Sequence, residues 1–337
     1  MSNKPLVLIL CGGRSLRLWP LSQYKTKNFL NIFGFSPLEL TIKRFLKITT
    51  KDNIYLVANQ SEKKALKKIK LIKKGNIFFE PQSKNTAAAV LLSLQYLKKF
   101  SSQTLIISPV DHFIKKDKEF YKSLSKALKA AQDASICTLG IKPDKPTTDF
   151  GYIEVNPKSN RGIFSVKKFI EKPKISLAKK LISQGKCFYN SGMFVAKIDT
   201  LINEYKKNYR SYRYFVKSFS SRKIPALYKR LKSIPFDKAI MEKTKKAKLV
   251  KANFFWKDFG NWLSIYEILV KDRNGNAKKG KISFYQSRDS LIYLDNPKKK
   301  VLALGLKDFF FIDTLKYTLI ADRKHLSQLK LALKKIK

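Results

Sequence analysis

The 337-residue chain is poor in the side chains that carry most redox, metal and nucleophilic chemistry. It has three cysteines, Cys11, Cys137 and Cys187, scattered singly along its length. Thiols so few and so widely spaced give neither a disulfide framework nor a zinc ligand set, and they fit a reducing compartment. It has two histidines, His112 and His325, so catalysis built on an imidazole base or nucleophile has little to work with. No apolar run approaches the roughly 18 residues that cross a bilayer. The opening residues, MSNKP and a short strand, lack the apolar core of a secretory signal. The expectation is a cytoplasmic protein with no membrane span. Also missing are the dinucleotide fingerprint G-x-G-x-x-G and the P-loop pattern, and any zinc-finger, RRM or KH signature.

Acidic residues are scarce too, 24 Asp and Glu against 71 Lys and Arg, for a formal net charge of +47. That balance suits a polyanionic partner such as nucleic acid or an anionic membrane. The lysines do not gather into one block, however: "SEKKALKKIKLIKK", "KDKEFYKSLSKALK" and "ALKKIK" lie far apart and read as solvated helix faces. The expectation is therefore no specific nucleic-acid partner, with a surface that still draws in polyanionic substrates such as a nucleoside triphosphate.

What the chain does have is an ordinary apolar fraction, 44%, and a regular alternation of patterns. "PLVLIL", "IYLVA", "NIFFE", "TLIIS" and "ASICTLG" read as strands. Between them, "SPLELTIKRFLKI" reads as a helix capped by Ser36 with Pro37 at its first turn and Glu39 closing a capping box. "SEKKALKKIK", "NTAAAVLLSLQYLKKF" and "EFYKSLSKALKAAQ" read as further helices. This βαβα order predicts a parallel, doubly wound sheet, with ligands at the carboxyl ends of its strands. From about residue 151 the pattern turns mixed: "GYIEV", "GIFSVKKFI" and "CFYNSGMFVAKI" are strand-like, "ISLAKKLISQG" helical. The polar stretch "VKDRNGNAKKGK", 270–281, reads as a boundary. After it come "SLIYL", "VLALGL", "FFFID" and "TLIAD", a small β unit closed by a terminal helix "HLSQLKLALKKIK".

Several strand ends carry candidate chemistry. Gly12 and Gly13 end the first strand; without Cβ atoms they let backbone N–H groups approach phosphate oxygens, and Arg17 and Lys27 follow. A strand ending in two glycines is equally a plain tight turn. Asp111, after "TLIIS", is placed to hold Mg²⁺ or, as readily, to cap a helix. Asp258, in "FWKDFGNW", offers a second carboxylate. Glu171 and Lys172, in "KKFIEKP", supply an acceptor for sugar hydroxyls and a cation for a sugar phosphate, and Asn190, in "YNSGMF", can read hydroxyls; each is also an ordinary strand terminus.

Taken in order, "GGRSLRLWPLS", "TKNFL", "EPQSKNTAAAV", "SPVDHFI", "DFGYIEV", "FIEKP", "NSGMF", "FDKAIMEKTKKAKLV", "WKDFGNW" and "FFFIDTLKYTLIADR" resemble the sugar-nucleotide nucleotidyltransferases. Within them the set looks most like the mannose-1-phosphate guanylyltransferases in their short form, without an appended isomerase domain. The resemblance spans essentially the whole chain. It implies an α/β fold: a Rossmann-like, GT-A-like catalytic domain over 1–270 with a mixed, mostly parallel sheet, and a small β-helix-like unit over 280–337 through which a homodimer forms. It implies Mg²⁺ as cofactor, and GTP and mannose 1-phosphate as substrates. Arg17, Lys27, Asp111 and Asp258 would be catalytic, the two aspartates as metal ligands. Gly12, Gly13, Asn85 and Thr86 would bind nucleotide with Arg17, Lys27 and Asp111. Gly151, Glu171, Lys172 and Asn190 would bind the sugar phosphate. The alternatives are another nucleotide or sugar phosphate on the same fold, or a noncatalytic basic scaffold. The chain departs from the family pattern at Ser15, Leu16, Thr26, Asn28, Ser83, Lys84 and Asp149, and Ser15 replaces a glycine in the phosphate loop.

Overall fold

The computed structural model describes residues 4–13, 16–24, 26–31, 34, 36–115 and 117–335. Ser15, where the chain departs from the family's loop glycine, lies outside these residues. The strands are β1 (Leu6–Cys11), β2 (Ile54–Asn59), β3 (Ile77–Glu80), β4 (Thr104–Pro109), β5 (His112–Lys115), β6 (Ile136–Ile141), β7 (Tyr152–Asn160), β8 (Ile163–Ile170) and β9 (Cys187–Lys197). They continue with β10 (Ala247–Ala252), β11 (Phe255–Asp258), β12 (Ala277–Lys279), β13 (Lys281–Tyr285), β14 (Leu291–Leu294), β15 (Lys300–Leu304), β16 (Phe309–Asp313) and β17 (Thr318–Asp322). The chain divides into two compact units: Met1–Gly12, Glu39–Val110 and Ile114–Trp256 in the first, and Gly13–Leu38, Asp111–Phe113 and Lys257–Lys337 in the second.

The first unit is built on a nine-stranded sheet in the order β3-β2-β1-β4-β9-β6-β10-β8-β7. β3, β2, β1 and β4 pair in parallel, as do β6 and β10. β9 runs against β4, β6 and β7, and β8 against β10 and β7. Followed through these ladders, β8 and β9 oppose the other seven strands, so the sheet is mixed and mostly parallel. Its parallel half explains the continuous apolar runs: Leu6, Val7, Leu8 and Ile9 of β1 are buried on both faces. The helix Asn85–Leu97 is buried nearly all round, from Ala87 to Gln95 without a break. Register keeps the strand ends level, with Leu10 opposite Pro109 and Asn59 opposite Glu80. The residues that follow them therefore leave from one edge.

Two helices differ from the sequence expectation. In "SEKKALKKIK" only Lys63–Leu66 is α-helical. Lys63 and Lys64 would stack on Lys67 and Lys68 at i+4, a repulsive spacing in a longer helix. The terminal helix is likewise broken: a 3₁₀ stretch Arg323–Gln328, one α turn Leu329–Ala332 and a last 3₁₀ turn Leu333–Lys335.

In the second unit β12, β14 and β16 stack as one parallel ladder, extended by antiparallel β17, while β13 and β15 stack as another. Successive strands alternate between the two ladders, so the chain winds as a coil, a small β-helix-like unit. The segment after β1 rests on it. Trp262 Nε1 donates to the Trp19 carbonyl at 2.8 Å, and the Trp262 ring packs against Tyr293. Tyr317 packs against Trp19 and Tyr24, the Lys316 N–H donates to the Tyr24 hydroxyl at 2.9 Å, and Lys279 Nζ donates to the Asn31 carbonyl at 2.8 Å.

Candidate active site

Gly12 and Gly13 close β1 with no heavy atom near the positions their Cβ atoms would occupy. Gly13 has φ +95°, a conformation L side chains rarely adopt. The turn is therefore bare backbone open to solvent, the shape a phosphate needs, although a plain turn would have it too.

Within the second unit, Arg17, Lys27, Asp111 and Asp258 form one electrostatic cluster. Lys27 Nζ lies 2.5 Å from Asp111 Oδ2, with both side chains mostly shielded. The Asp111 carbonyl accepts from the Phe259 N–H at 2.8 Å, fixing the chain just past Asp258 against it. Asp258 Oδ1 accepts from the Ser264 hydroxyl at 3.1 Å. Ser264 is held in turn through its N–H by Asn261, the N-cap of the helix Trp262–Ile268. Burial, and then the Asp111 carboxylate, push the Asp258 carboxyl above its usual range, while Arg17 and Lys27 pull it down. Burial opposes the charge on Asp111 as well, but Lys27 and His112 outweigh it and hold Asp111 below the ordinary carboxylate range. Two carboxylates, Asp111 buried and Asp258 half-buried, so close that one raises the pKa of the other form a locus that favours added positive charge.

The chemistry of this pair fits a hard dication bound through few protein oxygens. Among the described residues no three His, Cys, Asp or Glu side chains converge as a metal cage. A two-carboxylate site completed by water and phosphate oxygens is the arrangement Mg²⁺ commonly takes.

Within the first unit, Gly151, Glu171, Lys172 and Asn190 come together. The Asn190 N–H donates to the Gly151 carbonyl at 2.8 Å. A Cβ on Gly151 would lie 2.7 Å from Glu171 Oε2, so only glycine lets that carboxylate occupy its position. Lys172, at φ +47°, turns the chain after β8 and pairs with Glu171 at 3.2 Å. The Asn190 amide is oriented without ambiguity. The Gly192 N–H, which can only donate, is 2.9 Å from Oδ1, and Nδ2 donates to Asp237 Oδ1 at 2.7 Å. The Thr138 hydroxyl is 3.2 Å from Oδ1, but its single proton has a nearer acceptor in the Met193 carbonyl at 2.8 Å. These bonds engage one of the two side-chain N–H groups of Asn190.

Asn85 and Thr86 open the long buried helix. Asn85 has φ +65° and its Oδ1 accepts from the Thr86 N–H at 2.8 Å. The Thr86 hydroxyl oxygen accepts from the Phe236 N–H at 2.8 Å, tying this corner to the segment before Asp237. Asp237 and Glu242 received no role from the sequence. They sit in "FDKAIMEKTKKAKLV", a stretch that carries the family resemblance but in which no α-helical spacing singles out either carboxylate, and Glu242 Oε1 accepts from the Glu171 N–H at 2.9 Å. All three cysteines are buried as free thiols.

A bare backbone turn after β1, a cation-flanked carboxylate pair in the second unit and a polar group of Gly, Glu, Lys and Asn in the first are chemistry suited to a class that transfers a phosphate-bearing group. Residues 6–275 match the family described as nucleotidyl transferase, and the chain belongs to that family. It is 33% identical to a mannose-1-phosphate guanylyltransferase of Salmonella montevideo, over 98% of this chain and 73% of that protein. It is 30% identical to mannose-1-phosphate guanylyltransferase 2 of Escherichia coli O157:H7, over 98% and 73%. A crystal structure from Thermus thermophilus, titled a mannose-1-phosphate geranyltransferase, superposes with a TM-score of 0.89 at 25% identity, covering 99% of both chains.

Proposed function

We propose that the protein transfers GMP from GTP to mannose 1-phosphate, giving GDP-mannose and pyrophosphate. The observation that carries this reading is the Asp111–Asp258 pair with Lys27 beside it. The names of the relatives supply the nucleotide and the sugar. A phosphate oxygen of mannose 1-phosphate attacks the α-phosphorus in line; its bond to phosphorus forms as the bond from the α-phosphorus to the bridging β-phosphate oxygen breaks. No covalent enzyme intermediate is needed, so the protein's work is positioning and charge neutralisation. Gly12 and Gly13 offer backbone N–H groups to the triphosphate. Lys27 has three donors, one engaged by Asp111, and with Arg17 offsets charge on the departing pyrophosphate. Asp111 and Asp258 would hold Mg²⁺, which would add charge beside the reacting phosphates. Asn85 and Thr86 contact the base or ribose. Glu171 and Asn190 read sugar hydroxyls against Gly151, and Lys172 meets the sugar phosphate.

We read residues 1–270 as the catalytic domain and 280–337 as a small β unit that pairs two copies. The exposed apolar side chains Leu302, Leu304 and Ile320 on β15 and β17 support that pairing. Among the described residues no helix is long and apolar enough to cross a membrane, which is compatible with the cytoplasm we propose.

The test is pyrophosphate release over a matrix of nucleoside triphosphates and sugar 1-phosphates with Mg²⁺. GTP with mannose 1-phosphate should give the highest kcat/KM; a different best pair would move the activity within the family. The net charge of +47 keeps one rival open, a basic scaffold for nucleic acid. Random RNA should bind weakly and be released at physiological salt, whereas GTP–Mg²⁺ binding, made at short range, should persist. RNA binding that survives that salt beside undetectable GTP binding would favour the scaffold.

Gly151→Ala gives a narrower prediction. The new methyl meets the far end of a flexible side chain, so the melting temperature should stay within about 2–4 °C, the effect of roughly 1 kcal/mol. The displaced Glu171 carboxylate should raise KM for the sugar phosphate about tenfold, the size of one lost charged hydrogen bond. An unchanged KM would remove Glu171 from the sugar site.

A further inference from the structure

Residues Asp237–Met241 form a π-helical turn, and the Glu242 N–H donates to the Asp237 carbonyl at 2.8 Å. An α-helix advances about 100° per residue and would leave residue 242 about 140° round from residue 237. The wider turn closed by the i→i+5 bond brings residue 242 round much nearer to the face of residue 237. Two carboxylates that an α-helix would splay apart therefore reach the same neighbourhood. Asp237 takes the Asn190 amide and Glu242 takes the Glu171 N–H.

We infer that Asp237 and Glu242, one π turn apart, are positioning residues that hold Asn190 and Glu171 in the attitude that binds the sugar phosphate. This rests on the sugar-phosphate reading of those two residues given above. The segment is anchored where the role requires it. The Phe236 N–H is held by Thr86, and the Ala239 N–H donates to the Pro235 carbonyl at 2.9 Å. Ala239, Ile240 and Met241 are buried in the core under the sheet. An irregular turn so firmly set is a poor choice for a helix and a good one for a bracket. It fixes one amide and one backbone N–H from two different strands, β9 and the end of β8. The charged and titratable groups facing Asp237 are Glu171 and Lys172 after β8 and Tyr205 on the helix Ile198–Asn208. Burial, and then the Glu171 carboxylate, push the Asp237 carboxyl above its usual range.

The test uses the full chain and two readouts. The first needs no turnover: the side-chain NH₂ signal of Asn190 in ¹⁵N-labelled protein, identified by its loss in Asn190→Ala. In Asp237→Ala that signal should shift and exchange faster with water; in Asp237→Asn, which keeps an acceptor, it should stay near its wild-type position. An unmoved signal in Asp237→Ala overturns the proposal whatever the activity. The second readout is kinetic. Asp237→Ala and Glu242→Ala should each raise KM for the sugar 1-phosphate about tenfold with KM for GTP within twofold, while Asp237→Asn and Glu242→Gln restore most of it. Asp237→Ala with Asn190→Ala should be no worse than Asn190→Ala alone. Equal losses against both substrates with a lowered melting temperature would make the turn merely structural and overturn the proposal. Should the wild type prefer another nucleotide and sugar phosphate, the proposed substrates fall, and the same KM split is read with the preferred pair.

Discussion

Asp258→Asn should lower turnover by about 10²- to 10³-fold, the scale of losing a preorganised electrostatic contact, while raising the melting temperature of the metal-free protein. The two effects share one cause. Burial and the neighbouring Asp111 hold the Asp258 carboxyl above its usual range, so its charge is a cost the folded state bears. Because the folded pKa of this acid is raised, the cost is absent below the unfolded pKa, grows as pH rises through the window between the two values, and is full above the folded one. The stabilising effect of Asn should follow that course. Mg²⁺ should stabilise the wild type by mass action and leave Asp258→Asn nearly unmoved. Asp111→Asn should lower turnover to a similar extent but also lower the melting temperature, because Asp111 is held charged by Lys27 and His112. Near-normal rates in both variants, with matched circular dichroism, would remove the metal assignment. Melting shifts of the same sign would remove the electrostatic account.

Much of the fold was legible because burial writes itself into composition. The two-sided burial of β1 and β4 produced unbroken apolar runs, and the helix Asn85–Leu97 announced its burial by being apolar on every side. Strand direction was not legible: "CFYNSGMFVAKI" reads the same whichever way it runs, and β9 reverses the sheet. In the candidate site, sequence could single out charged residues at strand ends but not their partners. Lys27 and Asp111 are 84 residues apart, and nothing in either segment encodes a 2.5 Å contact. Asp237 and Glu242 escaped notice for a different reason. Their common orientation exists only in a π turn, and no periodicity of 3.6 or 2 would place them together.

The position of Lys27 depends on residues far along the chain. The described residues between 16 and 31 hold short 3₁₀ turns, whose few backbone bonds give the Lys27 side chain little local support. Within the second unit they are fastened from outside. The indole of Trp262 binds the Trp19 carbonyl, the Lys316 N–H binds Tyr24, and Lys279 binds the Asn31 carbonyl. The β-helix-like coil thus acts on the candidate site through the loop it carries.

Lys27→Met should cost both stability and turnover, and pH should tell the two apart. Asp111 is the partner left behind. Its folded pKa is depressed, so its pairing contributes stability that is full above the unfolded carboxylate pKa and is lost as pH falls through the lower folded value. Removing Lys27 strands a shielded carboxylate and should cost about 2–3 kcal/mol at pH 7. For a chain of this size that is a fall of several degrees in melting temperature. The gap between variant and wild type should narrow as pH falls through the pKa of the stranded Asp111, which burial raises once Lys27 is gone, and close below the depressed wild-type value. Adding Asp111→Asn to Lys27→Met should recover most of the lost stability, since no stranded carboxylate remains, yet leave turnover no higher than in Lys27→Met alone. A Lys27→Met protein that melts like the wild type at both neutral and acid pH would mean the pair behaves like an exposed ion pair worth under about 1 kcal/mol. The side chains' 17% and 12% exposure argues against that outcome.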